Sequence, residues 1–291
     1  MMRKNEARTE KERDNLTICA LASHDAYAYV WDETQGKKGC CEIATVILQH
    51  LSSLPSYVTH MIMYSDCCSG QNRNQFLTAA LWKFVQSQKT IKHVENKYLE
   101  SGHTHMEADS VHGSIERAKT GVNVYVPHEW QNVIHMARRN NPCVVIPLQF
   151  SQFLDIKSFV KNSEVNLQRT RSGERVQWLN VKHIKISLGS EEVLFRYNFH
   201  DQFKSVSILP RRNRRGMGEI TKEDLVTVKD PMLYSQALPI TQAKKDDLLK
   251  MCRTGVIPDV YHQFYTNLTT DDSMRNALAV PDAEESDRDT E

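Results

Sequence analysis

Residues 61–74 constrain the fold more than any other stretch, because they join an apolar run to an acid and then to a helix. The run 61–64 is followed closely by Asp66, a loop of small and amide residues comes next, and an amphipathic pattern begins near Gln75. Open α/β sheets place their functional groups where a buried strand delivers a side chain to its C-terminal edge, just before a helix. The stretch therefore predicts an α/β fold with Asp66 at a functional edge.

The order of the predicted elements extends this interpretation to the rest of the chain. Hydrophobic periodicity and turn residues predict a mixed sheet with helices on its faces, followed by a β-meander and further helices. Strands are predicted at 15–23, 27–31, 60–64, 91–99 and 143–148, an extended segment at 122–126, and meander strands at 178–188, 193–199 and 205–209. Helices are predicted at 40–51, 74–88, about 105–118, 128–139, 242–252 and 260–268.

Composition and charge limit the classes of protein to consider. The chain has 291 residues, a net charge of +1 and 25% charged residues, which is ordinary for a globular protein of one large or two small domains. Its N-terminus is charged, and no apolar run approaches the roughly 20 residues of a membrane span. We therefore expect a nuclear or cytoplasmic protein that is not secreted and has no membrane partner.

The seven cysteines include two adjacent pairs and no C-x-x-C pattern. They are interpreted as reduced thiols rather than as a disulfide framework or a zinc site. Cys67 and Cys68, beside Asp66, could suggest a nucleophile, but no motif ties a histidine to them. A zinc pair formed by His105 and His112 is also weak, because their spacing is i, i+7.

A second stretch carries candidate functional residues on one predicted helix. His105, Asp109, His112 and Glu116 are spaced i, i+4, i+7 and i+11, so they share one helix face. Such a stripe is costly to bury unless it is paired or metal-bound, and its plain alternative is a solvated face. Asp66 has an alternative too, since Asp after a strand often holds a turn or caps a helix.

Two carboxylates from different elements would suit a hard divalent cation. Mg²⁺ and Mn²⁺ prefer oxygen ligands, and two such ions roughly 4 Å apart support in-line phosphodiester chemistry. Asp66 and an acid of the second stretch, Asp109 or Glu116, could supply such a pair.

The two stretches together resemble a family. SDCCSGQNRN at 65–74 and GHTHMEADSVHGSIER at 102–117 are similar to motifs of transposon-derived eukaryotic proteins with a DDE-type, RNase H-like transposase or integrase core. Further similarity lies in YVWDE at 29–33 and in segments near 239–248 and 257–265, so the resemblance covers about residues 15–268.

The resemblance implies an RNase H-like mixed sheet flanked by helices, with a C-terminal β-meander plus helices. Its predicted divisions are a polar lead-in at 1–14, an N-terminally incomplete core at 15–160, a basic β-rich and helical region at 161–270, and an acidic disordered tail at 271–291. Such a core carries its first catalytic acid on its first strand, and we expect that strand to be missing here, with Asp25 and Asp32 as weak substitutes.

The resemblance also implies roles for individual residues. Asp66 would be the second catalytic acid and Asp109 the third, with Glu116 as the substitute for Asp109. Asp66 and Asp109 would bind Mg²⁺ or Mn²⁺. His103 and His105 would support the metal site. DNA would be the partner, with Arg211, Arg212, Arg214 and Arg215 against its phosphates; a solvated surface loop is the alternative for these arginines.

The expected function is therefore metal-dependent DNA strand cleavage or transfer in the ancestral form, with an inactive chain as one outcome. The alternative is a non-catalytic DNA-binding or protein-interaction module retained from a mobile element.

Overall fold

The computed structural model describes residues 13–88, 90–100, 106–210 and 220–271. The strands are β1 Arg13–Ala20, β2 Asp25–Asp32, β3 His60–Ser65, β4 His93–Tyr98, β5 Val144–Pro147, β6 His183–Ser187, β7 Glu192–Arg196 and β8 Lys204–Ser207. The α-helices are α1 Cys40–Ser53, α2 Gln75–Ser87, α3 Glu107–Lys119, α4 Pro127–Met136, α5 Ile156–Asn162, α6 Lys222–Thr227, α7 Gln242–Arg253 and α8 His262–Thr266. Most of the predicted lead-in and of the predicted tail lies outside the described residues.

The strands form two mixed sheets. One has the order β1-β2-β5, in which β1 and β2 are an antiparallel hairpin and β5 is parallel to β2. The other has the order β3-β4-β6-β7-β8, in which β3 and β4 are parallel and the other neighbours are antiparallel. Mixed sheets flanked by helices are confirmed, but a single sheet for the core is wrong: there are two.

The chain divides into two compact units, and each is built from separated segments. Among the described residues, the first unit contains 13–37, 106–152 and 234–271. The second unit contains 38–100 and 153–233, with the gaps given above. The predicted meander, β6 to β8, belongs to the second unit because β6 pairs with β4.

The core of the second unit lies between its five-stranded sheet and helices α1, α2 and α5. Helix α2 begins at Asn74, whose side chain accepts a hydrogen bond from the Leu77 backbone N–H at 3.0 Å. Leu81 and Trp82 are completely buried, and the Trp82 indole donates to the Ser190 carbonyl at 2.8 Å. The polar end of the largest buried side chain is therefore satisfied, so its burial carries no hydrogen-bond penalty.

Strand β3 is an edge strand, so the expectation of a buried central strand is wrong. Met61 and Met63 pack against the core, whereas Ile62 and Tyr64 are 42% and 47% exposed. Four consecutive apolar residues are typical of a strand covered on both faces. Among the described elements, helices cover one face of the sheet, and β4 is the single strand that pairs with β3.

The remaining differences from the predicted elements are local. Residues 122–125, where an extended segment was predicted, belong to no strand or helix, and the backbone of Val126 is extended. Helices α5 and α6 were not predicted; both are short, with seven and six residues. The predicted meander strands are confirmed as β6, β7 and β8.

The described residues of the first unit include two smaller hydrophobic cores. In one, Ala28 of β2 packs with Val111 and Ile115 of α3 and Ile134 of α4. The other joins α7 and α8 and contains Ile240, Leu248 and Tyr265 among its buried residues. Of the helices in the described part of the chain, none is both long enough and apolar enough to cross a membrane.

Candidate functional site

Asp66 lies directly after β3, at the position that its sequence predicted. Its Oδ1 accepts hydrogen bonds from the side-chain amide of Asn72 and, at 3.5 Å, from the Cys68 backbone N–H. The residue is exposed, and no described residue donates a hydrogen bond to its Oδ2. Asp66 therefore closes the following loop through one of its two carboxylate oxygens.

The loop between β3 and α2 is fixed by its own polar side chains. Asn74 donates from its side-chain amide to the carbonyls of Ser69 and Gln71, at 3.0 and 3.2 Å. The buried Tyr98 hydroxyl donates to the Asn72 carbonyl at 3.0 Å. These bonds fix the loop that carries Asn72, whose side-chain amide donates to Asp66.

The cysteines of this loop belong to no disulfide. The Cys67 Sγ donates a hydrogen bond to the Leu99 carbonyl at 2.6 Å. All seven cysteines are free. Their interpretation as thiols outside disulfides agrees with the structure.

Asp109 and Glu116 lie on α3 in the first unit, both exposed. Asp109 Oδ2 accepts the Met106 backbone N–H at 2.8 Å, which satisfies one of the free donors at the start of the helix. The buried face of α3 carries Val111 and Ile115 instead. The face shared by Asp109, His112 and Glu116 is thus solvated, which was the plain alternative for this stripe.

The predicted acids belong to different units, Asp66 to the second and Asp109 and Glu116 to the first. The part of the chain that the structure describes contains no group of three or more His, Cys, Asp or Glu side chains that could hold a metal ion. Asp66, with its free oxygen, fits the role of a single ligand, and the Mg²⁺ or Mn²⁺ site stays a prediction. Two predicted histidines, His103 and His105, and four predicted arginines, Arg211, Arg212, Arg214 and Arg215, lie outside the described residues.

A polar network that the sequence analysis did not single out covers part of the second sheet. We call it the polar face: the side chains of β3, β4, β6 and β7 on the side opposite the helices. Strand pairing aligns Ile62 with Glu95 and Glu95 with Lys185 across three strands. The polar face consists of His60, Ile62, Tyr64, His93, Glu95, Lys97, His183, Lys185, Leu194 and Arg196.

Glu95 is the centre of this network. Its two carboxylate oxygens contact His183 Nε2 at 2.8 Å, His60 Nε2 at 3.2 Å and Lys185 Nζ at 3.6 Å. Burial alone would raise the pKa of Glu95, but the hydrogen bond from His183 and the nearby positive charges outweigh it, so the pKa is lowered. Glu95 is therefore ionised although the residue is only 8% exposed.

The neighbours of His183 fix its proton. Arg196 Nε donates to His183 Nδ1 at 3.0 Å, and a guanidinium can only donate. His183 Nδ1 must then be an acceptor, so the neutral ring carries its proton on Nε2 and donates it to Glu95. Burial lowers the pKa of His183, which agrees with this neutral form.

The rest of the polar face combines cations with aromatic rings. Lys97 Nζ lies 5.5 Å from the centroid of the Tyr64 ring, and the Arg196 guanidinium lies 4.6 Å from that of Phe203. Lys185 is 36% exposed at its side chain. Positive charge beside exposed aromatic rings suits phosphate groups with attached bases.

The signal for the polar face is present in the sequence as alternation. His93, Glu95 and Lys97 alternate with Val94 and Tyr98 in β4, and His183 and Lys185 alternate with Ile184 and Ile186 in β6. Period 2 with one polar and one apolar face is what a half-covered strand requires. Sequence alone could not show that the two strands pair, because 84 residues separate them.

Comparison with known proteins gives one family. Residues 18–189 match the family described as "Domain of unknown function (DUF7869)". Neither a curated protein nor a solved structure matches the chain. The matched segment contains Asp66, Asp109, Glu116 and the polar-face residues of β3, β4 and β6.

Proposed function

We propose that this chain, which belongs to the DUF7869 family, a domain family of unknown function, is a transposase-derived, RNase H-like domain that acts on DNA. Its ancestral activity is metal-dependent cleavage or transfer of a DNA strand. The observation that carries the proposal is the exposed Asp66 carboxylate, held after β3 with one free oxygen. The parallel pair β3 and β4, connected through α2, supports the RNase H-like assignment.

The proposed roles follow from the positions of the side chains. Asp66 would bind the cation through Oδ2 while Asn72 and the Cys68 backbone N–H hold Oδ1. Asp109 and Glu116 belong to the first unit, so the proposal rests on Asp66. A bound Mg²⁺ or Mn²⁺ supplies a water or hydroxyl nucleophile and stabilises the charge that develops on the phosphate.

Nicking of supercoiled plasmid DNA tests the proposal. With Mg²⁺ or Mn²⁺, the wild-type chain should convert supercoiled to open-circular DNA, and chelation of the metal should stop it. Asp66→Asn should reduce the rate by at least about a hundredfold, as expected for loss of a group that acts in the transition state. Asp259→Asn, a change at a fully exposed carboxylate on another element, is the matched control. Equal nicking by the Asp66 and Asp259 variants would contradict the proposal.

A second candidate function is DNA binding without cleavage, for which two observations speak. Asp109 already serves as a helix cap, and the polar face presents Lys97 beside the Tyr64 ring and Lys185 next to Glu95. Fluorescence anisotropy with labelled single- and double-stranded DNA separates the two functions. DNA binding without cleavage is favoured if binding weakens with salt and persists in Asp66→Asn. Lys97→Gln and Lys185→Gln should each reduce the slope of log K against log salt concentration by about one. Lys250→Gln, in the first unit, is the control, and no binding at all would leave a protein-interaction role.

A further inference from the structure

Strand β3 lies at the edge of its sheet, and its free edge is complementary to the same edge of a second copy of the chain. We propose that two copies of this chain associate by antiparallel pairing of β3 with β3, around a two-fold axis at Ile62. The proposal does not depend on DNA or metal binding. It rests on the directions of backbone groups, on exposure and on side-chain chemistry.

The direction of the β3 backbone groups follows from its pairing with β4. The Ser65 carbonyl accepts from the Leu99 N–H, and the Thr59 carbonyl accepts from the Lys92 and His93 N–H groups. Because successive strand residues direct their backbone groups to opposite edges, residues 59, 61, 63 and 65 bond toward β4. The N–H and C=O groups of His60, Ile62 and Tyr64 therefore point to the free edge, where no described residue forms a backbone hydrogen bond with them.

An antiparallel copy satisfies all of these groups at once. With Ile62 opposite Ile62 of the second copy, His60 lies opposite Tyr64, and Tyr64 opposite His60. Each such pair exchanges two hydrogen bonds when both residues point toward each other. Three pairs give about six hydrogen bonds, and a shift by one residue would lose them all.

The side chains are self-complementary on both faces of the strand. On the polar face, Ile62 would meet Ile62 and the Tyr64 ring would meet the His60 ring, and these residues are now about half exposed. On the helix-covered face, Met61 would lie opposite Met63, so the partly buried methionines would continue the core. Apolar and aromatic cross-strand pairs of this kind stabilise antiparallel sheets.

The edge lacks the features that normally keep strands apart. Soluble proteins protect edge strands with lysine, proline, bulges or short length, and β3 has six residues without any Lys, Pro, Asp or Glu. The other edge strands differ from it. β8 is four residues long and contains Lys204, β5 is four residues long and ends in Pro147, and residues 15–20 of β1 contain no exposed large hydrophobic side chain.

Charge substitution at the two-fold axis gives a specific test by sedimentation velocity without DNA. The wild-type chain should show a concentration-dependent dimer in the micromolar range, between roughly 1 and 100 μM, because a single strand pair is a small interface. In Ile62→Lys and in Ile62→Glu, two like charges would face each other directly, which is unfavourable. Each variant alone should dissociate at least about tenfold more readily, and an equimolar mixture of the two should recover the dimer.

The control and the contrary results are equally specific. Val144→Lys places the same charge on a half-exposed residue of another edge strand, β5, and should leave the dimer intact. Circular dichroism should show that all variants are folded, as expected because Ile62 is 42% exposed. A wild-type chain that is monomeric at 100 μM, or a Lys/Glu mixture that is no more associated than its components, would overturn the proposal.

Discussion

Among single residues, Glu95 has the greatest effect on its surroundings, because three cationic or proton-donating side chains depend on it. Its folded-state pKa is lowered, so the stability that it contributes is fully present above about pH 4.3, the unfolded value. This contribution is lost as the pH falls through the folded-state pKa. Glu95→Gln removes the charge and keeps an acceptor for His183.

We expect Glu95→Gln to lower the free energy of unfolding by about 1–3 kcal/mol at pH 7, since a buried partner loses a charged hydrogen bond. The difference from the wild type should shrink below about pH 4, where the wild-type carboxylate becomes protonated. Urea unfolding between pH 7 and pH 3.5 measures it. Glu191→Gln, at an exposed position, should change little, and a pH-independent difference for Glu95→Gln would contradict the assignment.

Asp109 offers a test that separates structure from chemistry at one carboxylate. Asp109→Ala removes the acceptor for the Met106 N–H and should cost about 1 kcal/mol of stability, the usual value of a helix cap. Asp109→Asn keeps an acceptor oxygen and should stay within a few tenths of the wild type. If Asp109 is also a metal ligand, nicking should be lost in both variants. Thermal unfolding measures the capping role of Asp109, and the plasmid assay measures its role as a ligand.

The location of Asp66 after a strand followed from its sequence, because an apolar run, an acid and a helix cap are all local signals. The network around Glu95 did not. His183 and Arg196 are identifiable as polar residues in strands, but their partners come from strand pairing over long sequence separations. The proton position on His183 depends on Arg196 Nε lying 3.0 Å away, which no local pattern encodes.

At the scale of elements, α2 gives the clearest link between a cap and a core. The Asn74 side chain accepts a hydrogen bond from the Leu77 N–H. It also donates two hydrogen bonds to the preceding loop, which connects that loop to the helix. Asn74→Ala should therefore cost about 1–2 kcal/mol, at the upper end for a cap. Asn74→Asp keeps the cap but cannot donate to Ser69 and Gln71, so its free energy of unfolding should lie between those of the wild type and Asn74→Ala.

Guanidinium unfolding of the three proteins checks this order of stability. If Asn74→Asp and Asn74→Ala were equally unstable, the loop bonds rather than the cap would carry the effect. If Asn74→Asp matched the wild type, only the cap would matter.

Most helices and strands followed from sequence because their hydrophobic periods are long and clean, as in α2 with Leu77, Leu81 and Val85 buried along one side. Short elements such as α5, with seven residues, present too few turns for a period to be recognised. The exposure of β3 could not be predicted for a different reason. Whether Ile62 is buried depends on which elements cover that part of the sheet, and the four apolar residues 61–64 are identical in either case.

At the scale of the whole molecule, the two units differ in the size of their cores. Among the described residues, helices α1, α2 and α5 and the five-stranded sheet enclose one large core in the second unit, whereas those of the first unit form two smaller cores. Stability increases with the apolar area buried. We therefore expect the first unit to unfold at a lower denaturant concentration than the second.

The four tryptophans provide the measurement, because two lie in each unit. Trp31 and Trp130 belong to the first unit, and Trp82 and Trp178 to the second. A chain with both Trp31→Phe and Trp130→Phe reports fluorescence from the second unit only, and Trp82→Phe with Trp178→Phe reports from the first. An earlier midpoint for the first unit is expected; coincident curves would show that both units unfold together.

Each unit is built from separated segments of the chain, so paired strands can be synthesised on the ribosome at very different times. Strand β2 is made early, yet its parallel neighbour β5 follows after about 110 further residues. At about 5–20 residues per second, the N-terminal hairpin waits roughly 6–20 seconds with an unsatisfied strand edge exposed. Synthesis speed and chaperone supply, rather than the stability of the finished fold, should therefore limit the yield of soluble protein.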